Sequence, residues 1–202
     1  MTQHDLPSDL AFTPTVKALQ TAHGSREAYA RMEAGRGWAS EITPELAAYV
    51  AERDMAYLAT ATAEGQPYVQ YRGGPRGFLQ VLDAHTLAFA DFAGNQQFLS
   101  WGNLEDNPRA FLFLVDYARR RRIKVWGTAR VVSDDPALLA RLSDPSYPGR
   151  PERAVVFTVE AFDVNCPQHI HPRVRVDEVQ PRIAALEARI AELEAELARA
   201  RG

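Results

Sequence analysis

The stretch "RAFLFLVDYARRRRIKVWGTARVV" (Arg109–Val132) decides the fold. Its first part, "RAFLFLVDY", is a nearly continuous apolar run of the length expected for a buried strand. The basic segment "ARRRR" turns the chain back into "IKVWGTARVV", where apolar and polar residues alternate with the period of two of a β-strand. So short a turn joins antiparallel strands, because a parallel pair needs a crossover of a dozen or more residues. The sequence therefore predicts a β-hairpin here.

Further strand pairs lie outward from this hairpin. "MAYLATAT" (Met55–Thr62) and "QPYVQYR" (Gln66–Arg72) flank the turn "AEG", and "LQVLD" and "TLAFADF" form another pair. "AVVFTVEAFDV" is a last long strand, whereas the glycines and proline of "GGPRGF" (Gly73–Phe78) indicate a loop. Six or seven strands with small helices between them predict a mainly β (α+β) fold. The hairpin connections favour an antiparallel barrel over a doubly wound sheet.

The helices are short and carry start and stop signals. In "TPELAAYVAER", Thr43 can cap a helix and Pro44 occupies a first-turn position where its missing N–H costs nothing. "NQQFLSWGNLEDN" and "DPALLARL" indicate two more helices. Residues 1–40 are polar and irregular, with a short helix over Arg26–Met32. We therefore divide the chain into a segment over residues 1–40, a barrel domain over 41–173 and a helix over 177–202.

The last segment has the pattern of a coiled coil. Apolar residues recur at spacings of four and three, and they are Val179, Ile183, Leu186, Ile190, Leu193 and Leu197. Ile at a and mostly Leu at d favour two parallel strands, in which each g residue faces the e residue five positions later in the partner. These pairs are attractive, and they are Arg182–Glu187, Arg189–Glu194 and Glu196–Arg201. The alternative is a single helix that lies on its own barrel.

Composition excludes several classes of protein. The 202 residues are 46% hydrophobic and 24% charged, which is typical of a soluble globular protein. A formal net charge of −3 gives no general electrostatic reason to bind nucleic acid or an anionic membrane. No apolar run approaches the roughly 20 residues that span a bilayer, and the first ten residues lack a signal-peptide pattern. With one cysteine the chain forms no internal disulfide, so we expect a cytoplasmic protein.

Two histidines and the single cysteine cluster in "NCPQHIHPR" (Asn165–Arg173). Cys166, His169 and His171 form a C-x2-H-x-H pattern, but zinc needs three or four protein ligands and no second cluster is present. Thiol catalysis needs a base and an orienting group held against the thiolate. A turn tied down by polar side chains and a loop that contacts a ligand are the other interpretations. The residues alone leave these four open.

Three other stretches carry candidate binding groups. In "YVQYRGGPRGF", Arg72 precedes two glycines whose backbone can approach a phosphate closely. "FADFAGNQQFLSWGNL" gathers carboxylate, amide and hydroxyl groups beside a predicted helix start, which favours anions. These groups belong to Asp91, Asn95, Gln96, Gln97, Ser100 and Asn103. In "RRRRIKVW" the arginines indicate a solvated turn, from which Arg122 and Lys124 can point inward on alternate positions.

Taken in order, these stretches resemble one family. The motifs "GSREAYA", "VQYRGGPRGF", "FADFAGNQQ", "SWGNL", "RRIKVWG" and "NCPQHI" are similar to those of the pyridoxamine 5′-phosphate oxidase-like FMN-binding split-barrel proteins. The resemblance covers roughly Gly24 to Arg173. It implies a six-stranded antiparallel split β-barrel and a homodimer with one FMN in each of two clefts between protomers.

The resemblance also assigns residues to the flavin site. It implies that four groups contact FMN: Gln70, Tyr71, Arg72, Gly73 and Gly74; Asp91, Asn95, Gln96 and Gln97; Ser100 and Asn103; and Asn165, Cys166, Gln168 and His169. The phosphate charge is expected to be balanced by Arg72, Arg122 or Lys124. FMN is expected rather than FAD because the chain has no dinucleotide fingerprint.

Two departures from the family bear on the activity. A basic phosphate clamp of the oxidases is replaced here by "GNQQ", and their C-terminal substrate-recognition segment is replaced by the heptad helix. Oxidation of pyridoxamine phosphate is therefore not expected. The resemblance implies an FMN-dependent oxidoreductase that transfers hydride at flavin N5 to or from an unidentified small molecule. The alternative is a non-catalytic flavin- or haem-binding protein, or a dimeric assembly module.

Overall fold

The central hairpin forms as the alternation predicts. The computed structural model describes residues 5–165 and 167–201, and in it Arg109–Asp116 (β5) pairs antiparallel with Arg121–Val132 (β6). On β6, Ile123 and Val125 are fully buried. The intervening Arg122 and Lys124 are half-buried on the other face of the sheet, so they do not point inward as expected.

The remaining elements follow in chain order. The other strands are Met55–Ala61 (β1), Pro67–Gly73 (β2), Gln80–Asp83 (β3), Thr86–Phe92 (β4) and Pro151–Asn165 (β7). The helices are Pro14–Ala22 (α1), Arg26–Ala34 (α2), Pro44–Ala51 (α3), Leu99–Asp106 (α4), Pro136–Leu142 (α5) and Val176–Arg201 (α6), with a 3₁₀ turn at Pro7–Leu10. Over the described residues, none of these helices has the length and apolar character needed to cross a membrane.

The strands form one antiparallel sheet in the order β2-β1-β5-β6-β7-β4-β3. This confirms the antiparallel α+β fold, but the described sheet has seven strands rather than six, because the short β3 pairs with β4 as an edge strand. β2 and β4 are five places apart in that order, and yet Arg72 of β2 forms an ion pair with Asp91 of β4. The sheet must therefore curve almost into a closed barrel.

The concave face of the sheet holds the core. Its fully buried side chains include Leu58, Phe89, Leu112, Ile123, Val125, Val155 and Phe157. Burial of a side chain of this size contributes about 1.5–3 kcal/mol, so this face is the main source of stability. Leu46 and Val50 of α3 join the same cluster, and the Thr43 side chain caps α3 as predicted by accepting from the Leu46 amide.

A buried ion pair fixes α3 across the end of β5. Arg53, which follows the helix, donates to the Asp116 carboxylate at 3.0 Å, and both side chains are less than a tenth exposed. The Tyr49 hydroxyl donates to the Arg121 carbonyl at 3.0 Å, and burial raises the pKa of Tyr49 to about 12. Tyr49 therefore stays a neutral hydrogen-bond donor throughout the physiological range of pH.

The segment that precedes the barrel is more helical than its composition suggested. The predicted helix over Arg26–Met32 is confirmed as α2, whereas α1 was not predicted. α1 begins with Thr13 and Pro14, the same cap and proline that start α3. After these helices, the Trp38 ring stacks on Trp126 of β6 with centroids 4.6 Å apart. The segment thus covers part of the outer face of the sheet.

β7 pairs with β4 along one edge and with β6 along the other, and its pairing with β6 contains a bulge. The register with β6 passes from Trp126↔Ala161 to Gly127↔Val159, which leaves Glu160 as an extra residue. Gly127 fits this bulge because it has no side chain. A Cβ atom there would lie 1.8 Å from the Thr158 carbonyl oxygen.

We predict that Gly127→Ala destabilises the protein by about 3 kcal/mol, because the new methyl group meets backbone rather than a movable side chain. Urea denaturation followed by circular dichroism measures this change. Gly102→Ala in α4 is the matched control, since its Cβ meets nothing within 4 Å and alanine favours a helix by up to about 1 kcal/mol. Equal midpoints for the two variants would contradict the prediction.

Candidate functional site

A polar cavity of about 130 Å³ lies between β2, β4 and the start of α4. Along β2 the side chains alternate, so Gln70 and Arg72 point toward this cavity. Tyr71, between them, points to the outer face, where it is 59% exposed and meets Tyr57 edge to face. The structure thus brings together seven of the predicted residues as cavity lining: Gln70, Arg72, Asp91, Asn95, Gln96, Gln97 and Ser100.

Three charged side chains meet in the cavity. Asp91 lies between Arg72, which donates a hydrogen bond from Nη1 to its Oδ1, and Arg153, whose Nε is 3.2 Å from its Oδ2. All three side chains are more than four-fifths buried. The Arg153 contact is an ion pair without hydrogen-bond geometry. Among the described residues, the buried Nε atoms of Arg72 and Arg153 consequently have no acceptor.

Those two orphaned donors are the strongest feature of the site. Buried N–H groups in proteins nearly always have a hydrogen-bond acceptor. Two such groups without an acceptor, on arginines that line the same cavity, therefore indicate that a ligand supplies it. Arginine offers planar, multidentate donors suited to phosphate or carboxylate oxygens. Arg153 is also held from its other side, because its guanidinium lies 4.7 Å from the Trp101 ring centroid. The residues present therefore fit an anionic group such as a phosphate.

The loop from β4 into α4 supplies amides beside the arginines. Gln96 and Phe98 adopt left-handed backbone conformations, with φ of 61° and 54°, and the Asn95 side chain accepts a hydrogen bond from the Gln97 amide. The buried Ser100 hydroxyl donates to the Gln70 side-chain oxygen at 2.7 Å, which ties α4 to β2. The positive end of the α4 dipole thus lies at the cavity, where it favours an anion.

Three of the predicted residues lie beside the cavity rather than in its lining. Asn103 donates from its amide to the Thr60 hydroxyl at 2.9 Å and so ties α4 to β1. Gly74 donates to the Asp54 carbonyl at 3.0 Å, and a Cβ on it would lie 2.6 Å from the Phe78 side chain. A Cβ on Gly73 would likewise lie 2.8 Å from the Tyr71 ring. Gly74 is therefore needed for close packing against the buried Phe78, whereas the exposed Tyr71 ring can move away from a side chain at position 73.

A second group of predicted residues lies on the outer face. Arg122 and His169 line another cavity with Phe113, Tyr117 and Arg173. Lys124 lies on the same face of β6 as Arg122, in an ion pair with Asp163 at 3.0 Å. Among the described residues, the buried Arg122 Nε also has no acceptor. Burial raises the pKa of Tyr117 and a hydrogen bond with the Tyr57 side chain raises it further, so Tyr117 is a neutral phenol at this cavity.

The opening of the "NCPQHIHPR" segment is only partly described. Cys166 and the Asn165 side chain lie outside the described residues, although the Asn165 backbone ends β7 opposite Arg122. Gln168 and His169 are exposed in a turn, and His169 has a φ of 61°. His169 and His171 therefore do not share the face of a strand, as the zinc interpretation requires. The described residues contain no group of three metal-binding side chains.

Arg153 is the principal residue that sequence reasoning missed. It lies in "PERAVVF", an unremarkable strand start, and reaches the cavity because β4 and β7 pair with Asp91 opposite Arg153. No local signal marks that register. Tyr68, Phe92 and Trp101 also line the cavity. Of these, Trp101 is the one that the sequence could have indicated, because it belongs to the motif "SWGNL".

Fold and site together define an antiparallel split barrel with a polar cavity, lined by Arg72 and Arg153, at the end of β2 and β4. Residues 42–166 match the family model of pyridoxamine 5′-phosphate oxidase. Because the match spans more than half of the chain, this protein belongs to that family. No curated protein sequence matches the chain.

Solved structures show similar folds at low identity. HupZ of Group A Streptococcus is 22% identical, with 66% of this chain and 99% of that chain covered and a TM-score of 0.49. An FMN-binding protein of Syntrophomonas wolfei is 14% identical, with coverages of 72% and 97% and a TM-score of 0.42. A pyridoxinephosphate oxidase family protein of Clostridium acetobutylicum is 16% identical, with coverages of 67% and 94% and a TM-score of 0.44.

We predict that Asp91→Asn lowers the free energy of unfolding by about 3 kcal/mol, because the buried Arg72 loses its counter-ion and Arg153 keeps only the carboxylate of Glu152. Inorganic phosphate should restore part of this loss by occupying the cavity. Thermal denaturation with and without phosphate measures both effects. Asp163→Asn, which removes the counter-ion of one half-buried lysine, is the control and should lose less. A wild-type melting temperature for Asp91→Asn would contradict this account.

Proposed function

We propose that the protein is an FMN-binding flavoprotein whose Arg72 and Arg153 hold the phosphate. The observation that carries the proposal is the pair of arginines that line one cavity and whose buried Nε atoms have no acceptor within the described part of the chain. Arg72 and Arg153 both present guanidinium groups to the cavity, where Asp91 is the one carboxylate in the lining and Glu152 pairs with Arg153 from the side. Membership of the pyridoxamine 5′-phosphate oxidase family adds independent support for a flavin.

The cavity residues divide the work of holding a phosphate. Arg72 and Arg153 supply charge-assisted donors, and Asp91 fixes both guanidinium groups before the ligand arrives. The first turn of α4 and the amides of Gln96 and Gln97 complete the polar lining. Ser100 holds Gln70 in place from α4. Preorganisation of this kind raises affinity because less ordering is needed on binding.

The volume of the cavity supports a site shared between two protomers. The cavity of about 130 Å³ can hold a phosphate group, whereas pockets that hold a whole cofactor or drug-sized ligand have volumes of about 300–1,000 Å³. The ring must therefore lie against further surface. The outer-face group of Arg122, Lys124 and His169 shares no lining residue with the cavity. We place that group of a second copy beside the flavin, because the family resemblance implies a cleft between two protomers with His169 at the ring edge.

The apolar outer face supports a second copy as well. Val69 and Tyr71 of β2 are each 59% exposed, and Tyr57, Phe113 and Phe111 continue the row of apolar rings across the sheet. Contiguous exposed apolar surface of this kind marks an interface in soluble proteins. A homodimer would cover this surface and close the flavin site in one step.

The proposed activity is that of an FMN-dependent oxidoreductase. When bound, the flavin supplies hydride transfer at N5, so no side-chain acid or base is obligatory. The residues of this chain bind the phosphate, orient the ring and exclude water from it. The proposed substrate is a small molecule, as the family resemblance implies.

The cofactor is tested by purifying the protein, adding excess FMN and removing the unbound flavin. We expect a yellow protein with one FMN per chain, released by heat, and bleaching of its absorbance by reduced nicotinamide. Retention of FAD alone, or of haem and no flavin, would refute FMN binding. A yellow protein that no reductant bleaches at a catalytic rate would refute the oxidoreductase but not the flavoprotein.

The phosphate contacts are tested by Arg72→Ala and Arg153→Ala. Each removes a hydrogen bond to a charged group, worth about 1.5–3 kcal/mol, so the Kd for FMN should rise about 10- to 150-fold. Quenching of flavin fluorescence measures the Kd. Arg76→Ala is the control, because Arg76 is on the neighbouring loop but half exposed and paired with Glu178. If Arg76→Ala weakens binding as much as the other two, the phosphate lies elsewhere.

The shared site is tested by mixing two defective chains. Arg72→Ala lacks the cavity arginine and Arg122→Ala lacks the outer-face arginine, so each homodimer should bind FMN weakly. If each site uses one residue from each protomer, the mixed dimer contains one site with both arginines intact. Titration of co-purified mixed dimers should then show wild-type affinity at half of the sites. Weak binding at all sites would mean that each site lies within one chain.

A further inference from the structure

The α6 helix leaves its apolar seam uncovered. None of the described residues of α6 is buried. The five apolar side chains after Pro181 are between 42% and 57% exposed. They are Ile183, Leu186, Ile190, Leu193 and Leu197. The alternative of a helix folded onto its own barrel is therefore wrong for the described chain. Exposed apolar residues in a continuous helical stripe are typical of an interface.

The start of α6 is attached to the barrel. Arg175 forms an ion pair with Asp54 just before β1, and Glu178 pairs with Arg76 of the loop after β2 at 2.9 Å. Val179, the first apolar heptad position, is half-buried, unlike the five apolar residues that follow it. The seam thus emerges from the barrel at a fixed point. Pro181 falls at an f position of the heptad, away from the seam, so it does not interrupt the apolar stripe.

We propose that α6 pairs in parallel with the α6 helix of a second copy of this chain. Ile183 and Ile190 at a, and Leu186 and Leu193 at d, then meet their own symmetry mates. The pattern of Ile at a and Leu at d favours two parallel strands. Because each helix is tied to its own barrel at the same point, the coil lies along the two-fold axis of the dimer.

The charged residues at the e and g positions of α6 favour parallel over antiparallel pairing of the two helices. In the parallel pair all three g-to-e′ contacts are attractive on both sides, and they are Arg182–Glu187, Arg189–Glu194 and Glu196–Arg201. An antiparallel pair with the same overlap would place Arg189 against Arg189 and Glu187 against Glu187. Like charges at these positions disfavour that arrangement. Within the single helix Arg189 reaches Glu192 at 2.9 Å, a local partner that it exchanges for Glu194 of the other chain.

Disulfide cross-linking of the full-length chain tests the pairing. In a Cys166→Ser background, Leu193→Cys should form a covalent dimer rapidly under mild oxidation, because a d residue meets its own mate in a parallel coil. Ala188→Cys is the matched control, since it lies at an f position on the opposite side of the same helix. We expect cross-linking of Leu193→Cys to be at least tenfold faster than that of Ala188→Cys.

Two outcomes would overturn the proposal. Equal rates for Leu193→Cys and Ala188→Cys would show that the helices meet only by collision. A mixture of Leu193→Cys and Ile183→Cys chains that forms only the mixed disulfide would show an antiparallel pair. The charges are tested separately, because Arg189→Glu should slow cross-linking through Leu193→Cys and the further change Glu194→Arg should restore it. Neither readout depends on flavin, so failure here leaves the proposed cofactor untouched.

Discussion

The contact of Asp91 with Arg72 and Arg153 is the interaction on which the rest of the structure depends. Hydrogen bonding leaves the sheet open between its edges, and this cluster joins β2 to β4 and β7 across the gap. The same cluster forms the proposed anion site, since within the described chain neither Asp91 nor Glu152, which also pairs with Arg153, accepts a hydrogen bond from the two buried Nε atoms. Asp91 therefore has two opposed effects, because it stabilises the barrel while it competes with any phosphate for the same donors.

This arrangement links cofactor binding to stability. Burying charged side chains costs free energy unless each is paired and hydrogen-bonded, and a bound anion would add a partner for the two guanidinium groups. A ligand that binds only the folded chain stabilises it by about 2.7 kcal/mol at one hundred times its Kd. The proposed phosphate would thus stabilise the barrel at its open side, where no ladder hydrogen bonds do so. Binding of the cofactor and stability of the fold would therefore depend on the same side chains.

Local signals in the sequence were sufficient for most elements but not for the site. Thr43 with Pro44 predicted α3, and the alternation of apolar and polar residues predicted β6. The motif "QYRGG" was assigned to the flavin as a block, whereas the period of two of β2 sends Arg72 to the cavity and Tyr71 to the outer face. The contribution of Arg153 depends on the register of β4 with β7. That register involves residues about 60 positions apart, and no pattern within either strand encodes it.

The two groups of predicted residues also constrain how the protein assembles. Arg122 and Lys124 cannot turn toward the barrel interior, because a one-residue shift of β6 would bring Ile123 and Val125 out of the core. The cavity arginines are equally fixed on the concave side by Asp91. If one flavin uses both groups, a second copy has to supply one of them. The exposed seam of α6 gives the same second copy another surface to meet, so cofactor binding and helix pairing would share a single two-fold axis.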